Sequence, residues 1–329
     1  MSSLPTTPPP ASPDLRSLGR PKSRAIRVLR ERLIVGTLAL AAGFSILVTT
    51  TIVLVLAKET IGFFDFPEVS LSEFFLTTEW NPLLGAEPHF GIWPLISGTL
   101  LVTLVAASFA LPVGLISAIY LSEYASPRVR ATLKPALEIL AGIPTVVYGF
   151  FALTVLTPAL QKLNPILEPL GDGFVFGNYN AMSAGLATGI MILPIVCSLS
   201  EDALRAVPRS LRDGAFALGG TRFDVSVKVV LPAALSGIVA AFLLAISRAV
   251  GETMIVALAA GGIAQITANP AAEVQTMTAY MVQIFLGDAP AFGVEYKSSY
   301  AVAATLFVMT FGLTMVGQYI LRRFREEYD

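Results

Sequence analysis

Two residue types that build most metal and redox centres are nearly missing: the 329-residue chain has one cysteine, Cys197, and one histidine, His89. A lone cysteine closes no internal disulfide, and the two residues together do not supply a cysteine- or histidine-based metal or iron–sulfur site. Charge is scarce as well. Asp, Glu, Lys and Arg make up 14% of the residues, where a soluble domain carries about a quarter. Hydrophobic residues reach 54%, and mean hydropathy is +0.72. This composition excludes an ordinary soluble enzyme and leaves an integral membrane protein. No lysine follows a glycine, so the Gly-Lys-Ser/Thr loop that cradles ATP phosphates is absent. No Ser–His or paired-carboxylate arrangement marks an intramembrane enzyme, and nothing calls for a nucleic-acid partner.

What the chain has in quantity is apolar runs, at 33–57, 95–121, 137–160, 181–200, 234–262 and 299–321. Each is long enough, at about 20 residues, to cross the hydrocarbon as a helix. The fold class expected is an all-α integral membrane protein with six transmembrane helices. Lys and Arg sort across these runs, with eighteen in 1–32, 122–136, 201–233 and 322–329 against three in the alternate loops (Lys58, Lys162 and Lys297). By the positive-inside rule both termini are cytoplasmic.

The organisation follows. Residues 1–32 form a cytoplasmic segment, disordered over the Pro-rich 1–14 and basic from Arg16 to Arg32, which reads as an interfacial helix on anionic membrane lipid or as an orientation signal. Residues 33–94 hold the first span and an outer loop, 95–321 the transmembrane core with a long cytoplasmic loop at 201–233, and 322–329 a tail. The long outer loops are expected to fold over the outer mouth. Val274, Met277, Met281, Ile284 and Phe285 repeat at helical spacing, which predicts a short packed helix in the third. Pro112, Pro144 and Pro194 interrupt three of the spans.

One basic residue escapes the sorting. Arg248 lies inside the fifth run, where a charge at mid-span costs about 2.5–3.5 kcal/mol on insertion scales. Glu252 follows at i+4, on the same face of a continuous helix. The guanidinium offers a planar fork for two oxygens of an oxyanion, and Glu252 would hold Arg248 in the empty path. A purely structural ion pair is the other reading. Ser247 and Thr253 could donate to the same anion or to the backbone. Glu138, at the start of the third run, is a further path residue or an acid favoured by a helix start. Cys197 reads as a small buried hydrophobe.

The 201–233 loop carries a motif: Asp213-Gly214-Ala215, three residues, Gly219, nine residues, Val229, one residue, Leu231-Pro232. This spacing resembles the EAA loop of ATP-binding-cassette importer permeases, with Asp213 in place of Glu. The resemblance implies a short helix presenting Arg209, Arg212 and Asp213 to an ATPase subunit, with a turn at Gly219. Ala141–Gly149, Met191–Ile195 and Arg248–Met254 are similar to segments of phosphate importer permeases of the PstC type. That likeness implies a type I ABC importer permease fold in a bacterial inner membrane, carrying phosphate. The implied partners are a PstA-type permease, a PstB-type ATPase dimer holding ATP and Mg, and a soluble PstS-type phosphate-binding protein. The chain itself would bind no cofactor. A permease for sulfate or molybdate, or an ion-coupled secondary transporter, are the alternatives.

Overall fold

The computed structural model describes residues 24–82, 88–171, 174–287 and 293–324. The Pro-rich stretch 1–14, the start of the basic stretch and the tail beyond 324 lie outside the described residues. Residues Met1–Val55 and Leu56–Asp329 are separate units. The described part of the first is α1 (Arg24–Phe64) as far as Val55, with its apolar side chains exposed. The same helix runs beyond the first apolar run, taking Lys58 and Glu59 into its last turns.

In the second unit, α2 (Leu71–Leu76) starts at Ser70, whose hydroxyl accepts the Glu73 amide at 3.0 Å. A two-residue strand β1 (Trp80–Asn81) pairs antiparallel with β2 (His89–Phe90), Trp80 opposite Phe90. These pieces, between α1 and the long helix that follows, close around Phe63, Phe74, Trp80 and Phe90, whose rings meet edge to face. The expected short outer helix is α14 (Met277–Leu286). Its Met277, Tyr280 and Ile284 are buried in that cluster, so its apolar stripe packs as expected. Burial raises the Tyr280 phenol above its ordinary pKa, and its hydroxyl pairs with Ser298 at 2.6 Å.

The core is a pair of long helices, α3 (Trp93–Ile119) and α8 (Ala181–Ala206). Their interface is lined by small residues, among them Ala106, Ala110, Ala184 and Ala187. A Cβ on Gly185 would stand 2.5 Å from Val105, and one on Gly114 2.6 Å from Val196. Close backbone approach is how helices associate where lipid removes the hydrophobic drive.

Four described helical stretches are long and apolar enough to cross a membrane: Val28–Phe64, Trp93–Tyr124, Ala181–Ala206 and Val294–Ile320. The third and fifth runs differ from the expectation of single spans. The third begins earlier, as α4 (Pro127–Ala141), and turns 90° before α5 (Thr145–Phe151), α6 (Thr157–Gln161) and a short α7 (Asn164–Leu167). Pro144 is the cause, since its ring bars helical backbone at Ile143 and supplies no amide donor.

After α9 (Arg209–Ala217), the chain passes through α10 (Arg222–Val225) and α11 (Leu231–Ala233), then bends 70° into α12 (Leu235–Val250). The fifth run is also cut near its far end, where α12 stops at Val250 and a separate α13 (Met254–Ala259) ends three residues short of 262. α15 (Val294–Phe324) completes the bundle. π-helical turns occupy Tyr120–Tyr124, Ala152–Leu156 and Ser226–Val230, and the last two each end two residues before a proline, Pro158 or Pro232. A proline leaves the carbonyl four residues back without its donor, and a widened turn absorbs the mismatch.

Candidate functional site

Arg248 stands in the last turn of α12, and the helix then ends. Gly251 and Glu252 turn the chain with amide bonds to Ser247 and Ala249. The i, i+4 face expected for Arg248 and Glu252 is therefore interrupted, and no ion pair joins them among the described residues. Glu252 is 7% exposed, and its Oε1 accepts the amides of Met254 at 3.1 Å and Ile255 at 3.2 Å. Its carbonyl accepts the Thr278 hydroxyl at 2.6 Å. The break creates new amide donors at the start of α13 inside apolar packing, and Glu252 is the acceptor within reach.

The Arg248 side chain points the other way. Its Nε donates to the Met191 sulfur on α8 at 3.1 Å. Among the described residues its two terminal amino groups have no hydrogen bond or ion pair, and the residue is exposed on the surface of the single chain. Ser247 is half-buried in the same turn, and the Thr253 hydroxyl donates to the Gly251 carbonyl at 3.2 Å. Glu138 is placed differently from the expectation. It falls in the last turn of α4, not at a helix start, because α4 begins at Pro127. There it borders a cavity of about 310 Å³ with Lys134, Pro194, Cys197 and Leu244. Cys197 is buried and free.

The protruding loop folds as its motif requires. Pro208 precedes the first turn of α9, and Gly219 takes φ +86°, closing the helix with amide bonds from Gly219 to Phe216 and from Gly220 to Ala215. Arg209, Asp213 and Gly214 are exposed, and Ala215 packs inward. Leu211, Phe216, Leu218 and Phe223 are exposed on the same loop. Arg212 departs from the outward position expected of it. Its Nη1 donates to the Val207 carbonyl at 2.5 Å, and its Nη2 to the Leu204 carbonyl at 2.8 Å and to Glu123 at 3.0 Å. It is thereby an internal brace. Leu231 is half-buried against the same cluster, with Pro232 exposed beside it.

A family model described as the binding-protein-dependent transport system inner membrane component matches residues 110–326, which hold the loop, α12 and Arg248. The chain belongs to this family. The inner-membrane component is 31% identical over 308 residues to a probable ABC transporter permease protein YqgH of Bacillus subtilis, covering 94% of this chain and 95% of that one. It is 32% identical over 262 residues to a phosphate transport system permease protein PstC of Xylella fastidiosa, covering 76% and 78%. Among solved structures, a bacterial alginate ABC transporter in complex with a pentasaccharide-bound periplasmic protein aligns at a TM-score of 0.63. That alignment has 15% identity and covers 92% of this chain and 98% of that one, a likeness of fold.

The inner-membrane component also holds an ionic cluster that sequence reasoning missed. Glu201 is fully buried in α8 and meets Arg130 Nε at 3.1 Å, Lys134 Nζ at 3.2 Å and Arg205 Nη1 at 3.6 Å. Lys134 also reaches Asp202 at 3.0 Å, and Arg130 reaches the Leu121 and Ser122 carbonyls. In sequence, Glu201 opens a charged stretch that reads as solvated loop. Only the continuation of α8 to Ala206 places it inside the bundle.

Proposed function

We propose that this chain is one permease half of an ATP-driven importer that carries inorganic phosphate into the cytoplasm, with Arg248 contacting the anion in transit. The observation that carries this reading is the unpaired end of the Arg248 guanidinium, displayed at a helix break within an apolar span. A mid-span charge is costly without a counter-charge, and among the described residues no acid pairs with this one. A tetrahedral oxyanion presents two oxygens at the spacing of the fork. Relatives named as phosphate transport permeases at 30–33% identity support phosphate as the cargo.

Ser247 is the auxiliary donor in this reading. Thr253, bonded to backbone, and Glu138, on the α4 arm, are secondary path residues. Energy enters through separate PstB-type subunits carrying ATP and Mg, since this chain has no phosphate-cradling loop. Those subunits would meet Arg209, Asp213, Gly214 and the exposed Leu211, Phe216 and Leu218. A PstA-type permease would cover the Arg248 face, and a PstS-type phosphate-binding protein would deliver the anion from outside. Both termini are cytoplasmic in this arrangement, and the chain holds no cofactor of its own.

The test is uptake of radiolabelled phosphate by the assembled complex, with sulfate and molybdate as competitors. Arg248→Lys keeps charge but loses the fork, so transport is expected to fall by at least tenfold with subunit assembly intact. Normal phosphate uptake by Arg248→Met, or uptake blocked by sulfate but not by arsenate, would defeat the proposal.

A further inference from the structure

The contact between Arg248 and Met191 joins a charged group to a neutral, weakly accepting sulfur. Met191 is 2% exposed in α8, so no water substitutes for its thioether, and its sulfur stands 3.1 Å from Arg248 Nε. A guanidinium offers an oxyanion two bidentate edges, one end-on through its two terminal amino groups and one side-on through Nε and one amino group. With Nε engaged by sulfur, only the end-on edge is open, and it is the part of Arg248 without partners among the described residues. A carboxylate in the place of Met191 would orient the arginine equally well, but it would neutralise the charge and compete with an incoming anion. A thioether orients without neutralising.

We propose that Met191 is a positioning residue, which holds Nε so that Arg248 presents its end-on edge, and only that edge, to a tetrahedral oxyanion. This inference rests on the reading of Arg248 as the anion contact. The sulfur acts before the anion arrives. By fixing the plane of the guanidinium it lowers the ordering required at binding, and its effect belongs in KM more than in kcat.

The experiment measures phosphate uptake kinetics in proteoliposomes holding the whole importer, normalised to assembled complex. Met191→Leu and Met191→Ile keep nearly the same volume and remove the acceptor. KM is expected to rise roughly two- to fivefold, the effect of a hydrogen bond at the weak end of the usual range, with kcat nearly unchanged. Met191→Gln, whose amide oxygen sits at similar reach, is expected to return KM most of the way. In an Arg248→Lys background, which has no Nε–H of this geometry, Met191→Leu is expected to add nothing further.

Wild-type KM in both aliphatic variants overturns the proposal, as does a Met191→Gln variant no better than Met191→Leu. Arg248→Met, run alongside, separates the two ideas. Lost uptake there with unchanged kinetics at Met191→Leu removes the positioning role alone. Normal uptake in Arg248→Met removes the anion contact and the positioning role with it.

Discussion

Glu252 turns its Oε1 to the first amides of α13, and among the described residues its carboxylate makes no ion pair with the guanidinium four residues earlier. Glu252→Gln retains an oxygen that accepts the Met254 and Ile255 amides and is expected to leave phosphate uptake within about twofold of wild type. Glu252→Ala loses the cap, which costs about 1 kcal/mol in typical helices, and is expected to lower both thermal stability and uptake. Equal damage from the two variants in a purified-complex melt and an uptake assay would show that charge, not capping, is what Glu252 supplies. A second residue-scale contrast lies in the Glu201 cluster. Removing a buried partner strands charges and costs about 3–5 kcal/mol, whereas an exposed pair is worth about 0–1 kcal/mol. Glu201→Ala is therefore expected to lower the melting temperature sharply and Asp202→Asn hardly at all, with 58% of the Asp202 side chain exposed. Similar melts for the two would remove the cluster from the stability of the bundle.

Among elements, α9 was the most legible and the broken spans the least. The motif at 213–232 fixes a helix, a left-handed glycine and a proline at set intervals, and each appears in its place. Nothing lies within 4 Å of a Cβ built on Gly219, so any effect of substitution there comes from its positive φ and not from a clash. Left-handed backbone costs a side chain about 1–2 kcal/mol, least for Asn. Gly219→Asn is expected to keep coupling and Gly219→Val to lose it, read as ATPase copurification and uptake; a matching result for both would discount the turn. Hydropathy runs on through the breaks at 142–144 and 251–253; Pro144 marks the first in the sequence, and no proline marks the second. The i, i+4 reading of Arg248 and Glu252 failed for that reason, since it assumed a continuous helix. Glu201 was hidden differently, as Arg130 and Lys134 lie some seventy residues earlier and no local pattern links them.

At the scale of the molecule, composition and the sorting of basic residues carried the class of protein, and the number of spans was readable to within the two that bend. Sidedness follows from the basic residues alone and is open to direct measurement. Ser72 and Ser210 are both exposed, and the native Cys197 is buried, so a single added cysteine reports without interference. Ser72→Cys is expected to react with an impermeant thiol reagent added to intact cells, and Ser210→Cys only after lysis. The opposite pattern would invert the topology.

The grip of Arg212 has a mechanical meaning. Its guanidinium clasps the Leu204 and Val207 carbonyls at the end of α8 and the Glu123 carboxylate just past α3, so α9 is a crank keyed to two shafts. A stroke applied to α9 is therefore expected to reach α8 and α3 together. Met191 lies on α8 about 20 Å from Leu204 at 1.5 Å per residue, so the same shaft that takes the stroke carries the sulfur facing Arg248. Arg212→Lys, which keeps the charge but cannot clasp all three oxygens, is expected to slip: ATP hydrolysis continues in the assembled complex while phosphate delivered per ATP falls.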